Sequence, residues 1–439
     1  MVSGARDLFP DSFRLRSERD QELRWMNADM LNKGKSPKAG PLAGLCVLDL
    51  TSVIMGPYCT QILADMGAEV IKVESPEGDV VRYAGPSRLP KMGPTFTYLN
   101  RGKKSVVVDL KTAEGREVCL RLAKRADIFI HSMRPQALKK LGLDYDDVSA
   151  AQPLIIYCNL HGFGRRGRYA GRAVYDDTIQ AISGLAMLEA ELLGEPQYVP
   201  SAIADKICGL SATYAVLAAL WHRERTGIGQ EIDVPMFETM VSFLMVEHLT
   251  GSLYDPPLGR PVYSRLIAKS RRPYRTADGY LSVLVYNDKQ WRRFARAINR
   301  EELLEDPRFL NVTSRTENID AFYTLIMDIL TQRTSDEWVT LLEKEEIPSA
   351  RLNRTDDLFA DPHLGDVQFF NKVADPISGN LTMPRFPLDF FATPVAMPQG
   401  GPRLGQDTAG VLRASGFSDA ELRHLLDRKI VVDSNDQRD

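Results

Sequence analysis

CVLDLTSVIMGPYCTQILADMGAEVIKVE (46–74) decides the fold class. Its opening run, Cys46 to Thr51, is β-rich. A helical apolar pattern follows through Gln61, Ile62, Leu63 and Met66, and a second β-rich run, Val70 to Glu74, closes the stretch. A strand, a helical crossover and another strand make one parallel, right-handed βαβ unit. The same alternation continues outward. KSVVVDL (104–110) predicts a strand, 113–125 a helix, and IFIHS (128–132) and LIIYCNL (154–160) two more strands. The chain is therefore expected to be α/β, built on a parallel sheet.

Beyond 160 the pattern changes. GFGRRGRYAGR (162–172) is a glycine-rich loop, and helices are expected over Thr178–Leu193 and Asp205–Arg225. TGIGQ (226–230) stops the second, QEIDVPMF (230–237) reads as a strand, and a helix follows near 238–250. A Pro-, Gly- and Arg-rich linker at 255–273 leads to a strand at 280–285 and helices near 288–299, 315–332 and 335–346. The tail mixes short strands with a helix at 418–427, and residues 1–40 form an aperiodic extension.

Bulk properties exclude several classes. With 439 residues, 44% apolar, 26% charged and a net charge of −3, the chain lacks the basic excess of a nucleic-acid binder. Five scattered cysteines, with no CxxC pair, predict buried reduced thiols in a cytoplasmic protein and no metal site. The N-terminus has no apolar signal core. The longest nearly apolar stretch, Cys208 to Trp221, is shorter than the roughly 20 residues of a membrane span and predicts a buried helix. Neither GxSxG nor HExxH occurs, and His131, His161, His222, His248, His363 and His424 are dispersed as surface or supporting residues. Gly162–Gly167 spells GxGxxG after a strand but opens no helix, so a flexible loop is expected in place of a dinucleotide site.

Three groups of residues carry candidate chemistry. Asp205 stands between VPSAIA and the apolar helix, and on residues alone reads first as its N-cap. A carboxylate there is also held ionised by the helix dipole, which would fit it to attack a thioester. Tyr175 and Asp176 precede a helix that Asp176 or Asp177 would cap. Lys103, Lys104, Arg134, Lys139 and Lys140 fall near strand ends, as a solvated face or as cations for phosphates beyond the carboxyl edge of a sheet.

VLDLTSVIMGPYCTQILADMGAEVIKVESPEGD (47–79) resembles the opening of the class III CoA-transferases of the CaiB/BaiF type, the group that includes formyl-CoA and carnitine-CoA transferases and α-methylacyl-CoA racemase. The likeness continues through ADIFIHSMRPQALKKLGLDYDDV, IADKICGLSATYAVLAALWHRERTGIGQEIDVPMFE and RLGQDTAGVLRASGFSDAEL, covering about residues 41 to 430. It implies a Rossmann-like large domain built from both chain ends (41–250 and 347–439), a smaller inserted α+β domain (251–346) and an interlocked-ring homodimer. It implies a CoA-transferase that uses acyl-CoA and an acceptor carboxylic acid, with no permanently bound cofactor.

Carried over residue by residue, the catalytic aspartate matches Asp205, and the Tyr-plus-acid pair of the acyl pocket matches Tyr175 and Asp176. Expected CoA contacts fall on Ile54, Met55, Ser75, Leu99, Asn100, Arg101, Arg134 and Lys140, with Lys103 and Lys104 as nearby cations. Ile54 replaces a pocket Gln and Ser75 a CoA-binding Arg of the formyl-CoA enzymes, which argues against a formate or oxalate specificity. Racemases of the group carry His where this chain has Tyr175, a phenol of pKa about 10 and a poor base. Racemisation therefore ranks second to CoA transfer, and a non-catalytic CoA-binding homologue third. Arg260, Arg265, Arg271, Arg272 and Arg275 are surface charge or recognise a dicarboxylate.

Overall fold

The computed structural model describes residues 40–435, so the extension expected at 1–40 lies outside the described residues save for its last position. Six strands, β1 (Cys46–Leu50), β2 (Glu69–Glu74), β3 (Lys104–Val108), β4 (Ile128–His131), β5 (Ile156–His161) and β6 (Gln230–Pro235), fall where the apolar runs predict them. β7 (Tyr274–Arg275), β8 (Tyr280–Val283) and β9 (Ser349–Arg351) make a small antiparallel sheet, and β10 (Phe370–Asp375) and β11 (Gly379–Pro384) a hairpin. β12 (Val431–Val432) returns from the far end of the chain to pair antiparallel with β3.

The main sheet has the order β12-β3-β2-β1-β4-β5-β6 and is parallel apart from β12. The strand order reverses between β1 and β4, the crevice where open α/β sheets take ligands. Because side chains alternate along a strand, each central strand feeds two cores. Leu48, Ile71 and Phe129 join one, while Val47, Val70 and Ile130 join the other. A third core, around Trp291, Phe294, Phe322 and Trp338, lies with the small sheet.

Five helices place the site: α1 (Met55–Asp65), α2 (Pro135–Leu141), α3 (Asp176–Ile182), α4 (Ile203–Thr226) and α5 (Met236–His248). The helix expected over 178–193 is two, α3 and Leu185–Leu193, because Gly184 turns into the left-handed region at φ 96°. α4 ends at Gly227, whose φ of 72° gives the left-handed stop. This helix is not buried all round, as its composition suggested. Ala204, Cys208, Ala212 and Val216 face the core, whereas Leu210, Tyr214 and Trp221 lie on an exposed face. By length and composition α4 would cross a membrane, but 56% of its apolar window is buried inside the protein.

Candidate active site

Close packing forces α4 against the first βα turn. Gly209, one turn beyond Asp205, has no room for a side chain: a Cβ there would stand 2.7 Å from the Met55 carbonyl oxygen. The β1–α1 turn is itself held from below. Fully buried Lys72 donates to the Thr51 carbonyl (2.7 Å) and pairs with Asp79 (3.0 Å). Asp79 in turn accepts the Val53 N–H at 3.2 Å. Val53 has φ 71°, a strained conformation for a β-branched residue, and the ion pair beneath it keeps it there.

Above this turn, at the carboxyl edge of the sheet, lies a cleft of about 470 Å³. Its walls are Ser52, Val53 and Met55 after β1, Ser132 to Gln136 after β4, Leu160 to Phe163 at the end of β5 with Arg165, the segment 170–175, and Met236 after β6. Asp205 lines it from the first turn of α4.

Asp205 does not cap its helix, as expected from sequence; the N-cap is Ala202, which makes no side-chain cap. Instead the Asp205 N–H donates to Asp176 Oδ1 at 2.9 Å, so an aspartate of α3 satisfies the start of α4. Asp176 caps no turn of its own helix either. Its Oδ2 accepts from Gln180 Nε2 (2.6 Å), and Gln180 Oε1 accepts the Val199 N–H (2.9 Å), which ties down the approach to Asp205. The Asp205 carboxyl is nearly buried and, among the described residues, receives no hydrogen bond. Burial first, then the charge of Asp176, push it up to about 7. The expectation that the helix dipole keeps it well ionised is thus corrected: desolvation and a neighbouring carboxylate outweigh the dipole.

The structure brings Asp205, Tyr175, Met55 and Arg134 together in the cleft. Tyr175 is 69% exposed there, and Arg134 forms no ion pair among the described residues. Asp176 sits behind the wall, not on it. Half-buried Ile54 adjoins the cleft without lining it, and exposed Ser75 and Lys140 stand outside it.

Leu99 and Asn100 are buried in the fold, and Arg101 is engaged with Asp65 at 2.6 Å. Lys103 and Lys104 do not face the cleft as phosphate-holding cations. Lys103 is the buried counter-ion of Asp49 at 3.1 Å, and burial pulls its ammonium down to about 8. Lys104 pairs with Glu69, the first residue of β2, at the amino edge of the sheet. None of the arginines at 260–275 lines the cleft; Arg260 pairs with Glu191, and Arg265 stacks on Tyr286 at 4.4 Å. No cluster of metal-ligating side chains occurs among the described residues.

Sequence reasoning missed the loop after β5. Read as flexible, it lines the cleft with Phe163, Arg165 and Arg172. Arg165 is clamped by Glu231 (2.8 Å) and Asp233 (2.7 Å) of β6, and Arg172 stacks on Tyr169 at 4.3 Å. Four arginines in an eleven-residue stretch directly after a strand, GFGRRGRYAGR, were the available signal.

Comparison with known proteins adds an independent line. The family model described as CoA-transferase family III matches residues 42–408. A probable fatty acyl-CoA transferase of Mycobacterium tuberculosis is 37% identical over 70% of this chain and 81% of its own length. A succinate–glutarate CoA-transferase of Agrobacterium fabrum is 33% identical over 85% of this chain and 95% of its own. Among solved structures, a CaiB/BaiF family protein from Brucella suis superposes with a TM-score of 0.72 at 33% identity, covering 86% of this chain and all of that one.

Proposed function

The chain belongs to CoA-transferase family III, and from that membership we propose that it passes CoA from an acyl-CoA thioester to an acceptor carboxylate through covalent intermediates on Asp205. One observation carries the proposal: a nearly buried carboxyl without a hydrogen-bond donor among the described residues, at the head of α4, on the wall of the cleft where a doubly wound sheet takes its ligand.

The steps balance without a metal or redox partner. An Asp205 oxygen attacks the thioester carbonyl; the C–S bond breaks and CoA leaves as thiolate. The thiolate attacks the aspartyl carbonyl of the mixed anhydride, which releases the donor acid as carboxylate and leaves aspartyl-CoA thioester. The acceptor carboxylate then attacks that thioester and frees CoA thiolate again. Attack of the thiolate on the acceptor's acyl carbon yields the new acyl-CoA and restores Asp205. A carboxyl held near 7 is a stronger nucleophile when ionised than one at 4, and a shielded cleft keeps water from the anhydride.

Around this chemistry we take 41–250 and 347–439 as a Rossmann-like large domain, 251–346 as the inserted one, and the cytoplasm as its location. A second copy of the chain is proposed to cover the apolar face of Leu210, Tyr214 and Trp221 on α4 with Phe243 and Val246 on α5, all of them exposed. Tyr175 is proposed to contact the acyl group, and Arg134 a phosphate of CoA.

The test is Asp205→Ala with hydroxylamine as a trap. The variant is expected to bind CoA, keep its fold and lose turnover, and hydroxylamine is expected to inactivate the wild type only while acyl-CoA is present. An enzyme that turns over undisturbed in hydroxylamine is not forming an acyl-aspartate, and the isomerase alternative would then take its place.

A further inference from the structure

Two imidazoles stand side by side at the carboxyl ends of β4 and β5, their rings 6.0 Å apart, and they differ in burial and in partners. His131 is saturated. Its Nδ1 accepts the Met133 N–H (3.3 Å), so its Nε2–H donates to Asn159 Oδ1 (2.8 Å), and burial holds it neutral at about 3. It is a core residue.

His161, the last residue of β5, is less hidden, with 8% of its side chain exposed; its buried Nε2 lacks a hydrogen-bond partner, and its Nδ1 takes none from the protein among the described residues. Nε2 is buried and faces Asp233, whose Oδ1 lies 3.8 Å away, too far for a hydrogen bond. Asp233 cannot easily swing closer, because Arg165 holds its other oxygen at 2.7 Å while also gripping Glu231. The ring is wedged as well. A Cβ on the next residue, Gly162, would stand 2.2 Å from Val174 Cγ2, and the Gly162 carbonyl accepts the Phe237 N–H at 3.0 Å.

Burial lowers the pKa of His161, which keeps the ring neutral. The negative field of Asp233 favours the proton on Nε2, leaving the Nδ1 lone pair as an acceptor in a residue that lines the same cleft as Asp205. A rigidly held imidazole in the cleft wall, whose Nδ1 has no protein partner among the described residues, is placed to take a donor from a ligand.

We propose that His161 is a substrate-binding residue of the cleft, its Nδ1 accepting a hydrogen bond from an N–H or O–H donor on the bound CoA thioester. The inference rests on the cleft being the acyl-CoA site. The donor is either an amide of the pantetheine arm, common to every CoA ester, or a hydroxyl of the acyl group.

The experiment is calorimetric titration of the full chain with CoA, butyryl-CoA and 3-hydroxybutyryl-CoA, comparing wild type, His161→Phe and His161→Asn. Loss of one neutral hydrogen bond predicts about five-fold weaker binding to His161→Phe. It would appear with all three ligands for a pantetheine donor, and with 3-hydroxybutyryl-CoA alone for an acyl hydroxyl. His161→Asn, which keeps an acceptor, is expected to stay within about two-fold of wild type. Unchanged affinity of His161→Phe for all three overturns the proposal. In the unmodified protein, the ¹⁵N shift of His161 Nδ1 must move on saturation with the tightest of the three; a stationary shift overturns it without any variant. Wild-type protein that binds none of them overturns both this inference and the assignment of the cleft. Normal binding without an Asp205 adduct would sink only the covalent mechanism.

Discussion

Replacing Asp176 by Asn is expected to move the acid limb of the pH–rate profile downward. In the proposed mechanism the Asp205 carboxyl has to be ionised to attack, and it is held at about 7 by burial and, second, by Asp176. The displacement from the ordinary 3.8 is about three pH units, with burial the larger cause. Asp176, the second cause, therefore accounts for less than half of that displacement. Asn keeps an oxygen for the Asp205 N–H, but its amide would face Gln180 Nε2, which now donates to Asp176 Oδ2 at 2.6 Å. A stability loss of about 1 kcal/mol should accompany the change. The assay is kcat/KM from pH 4.5 to 9 with the best acyl-CoA donor, alongside urea unfolding of both proteins. Removing a negative neighbour lowers the pKa of Asp205, so the midpoint of the acid limb should fall below about 7, by less than the part that burial holds in place. A purely structural role would lower the plateau and leave the midpoint in place. An unmoved or raised midpoint would refute the electrostatic coupling of the two carboxyls.

Three further outcomes follow from the same geometry. Asp205→Asn should lose turnover yet gain stability above neutrality. A carboxyl whose folded pKa lies above its unfolded one costs stability as pH rises from about 4 to about 7, so the variant should exceed wild type by on the order of 4 kcal/mol at pH 8 and match it near pH 4 in urea melts; a gap independent of pH would contradict this. Lys72→Met strands Asp79 in the interior beneath the strained Val53 and should cost about 3–5 kcal/mol in the same assay, whereas a loss under about 1 kcal/mol would show that the ion pair does not hold the turn. Tyr214→Glu combined with Trp221→Glu should convert a dimeric wild type to monomer in light scattering; a monomeric wild type, or a variant that still dimerises, would remove the proposed partner face.

The strands of the main sheet were legible because both faces of a parallel sheet are buried, so β1 and β4 read as largely apolar runs broken only by Asp49 and His131. Gly184 was the missed sign that the helix after Asp176 breaks in two. Electrostatics were far less legible. Lys103 looked like a free cation because its partner, Asp49, is 54 residues away in sequence. Asp205 looked well ionised because Asp176, 29 residues earlier, reaches its amide only through the packing of α3 on α4. Composition marked GFGRRGRYAGR as a loop but could not show that the end of β5 aims it across the cleft, nor that His161 and His131 would differ in having partners. Asp205 itself stood out only through the resemblance to a family, since the first turn of a helix is an ordinary place for an aspartate.

The covalent role of Asp205 is tested most directly by the intact mass of the protein after brief incubation with a panel of acyl-CoAs, followed by peptide mapping. The expected result is a gain equal to the acyl group or to CoA less water, located on the peptide that carries Asp205 and absent from Asp205→Asn. An unchanged mass under conditions of steady turnover, or an adduct on any other residue, would contradict it.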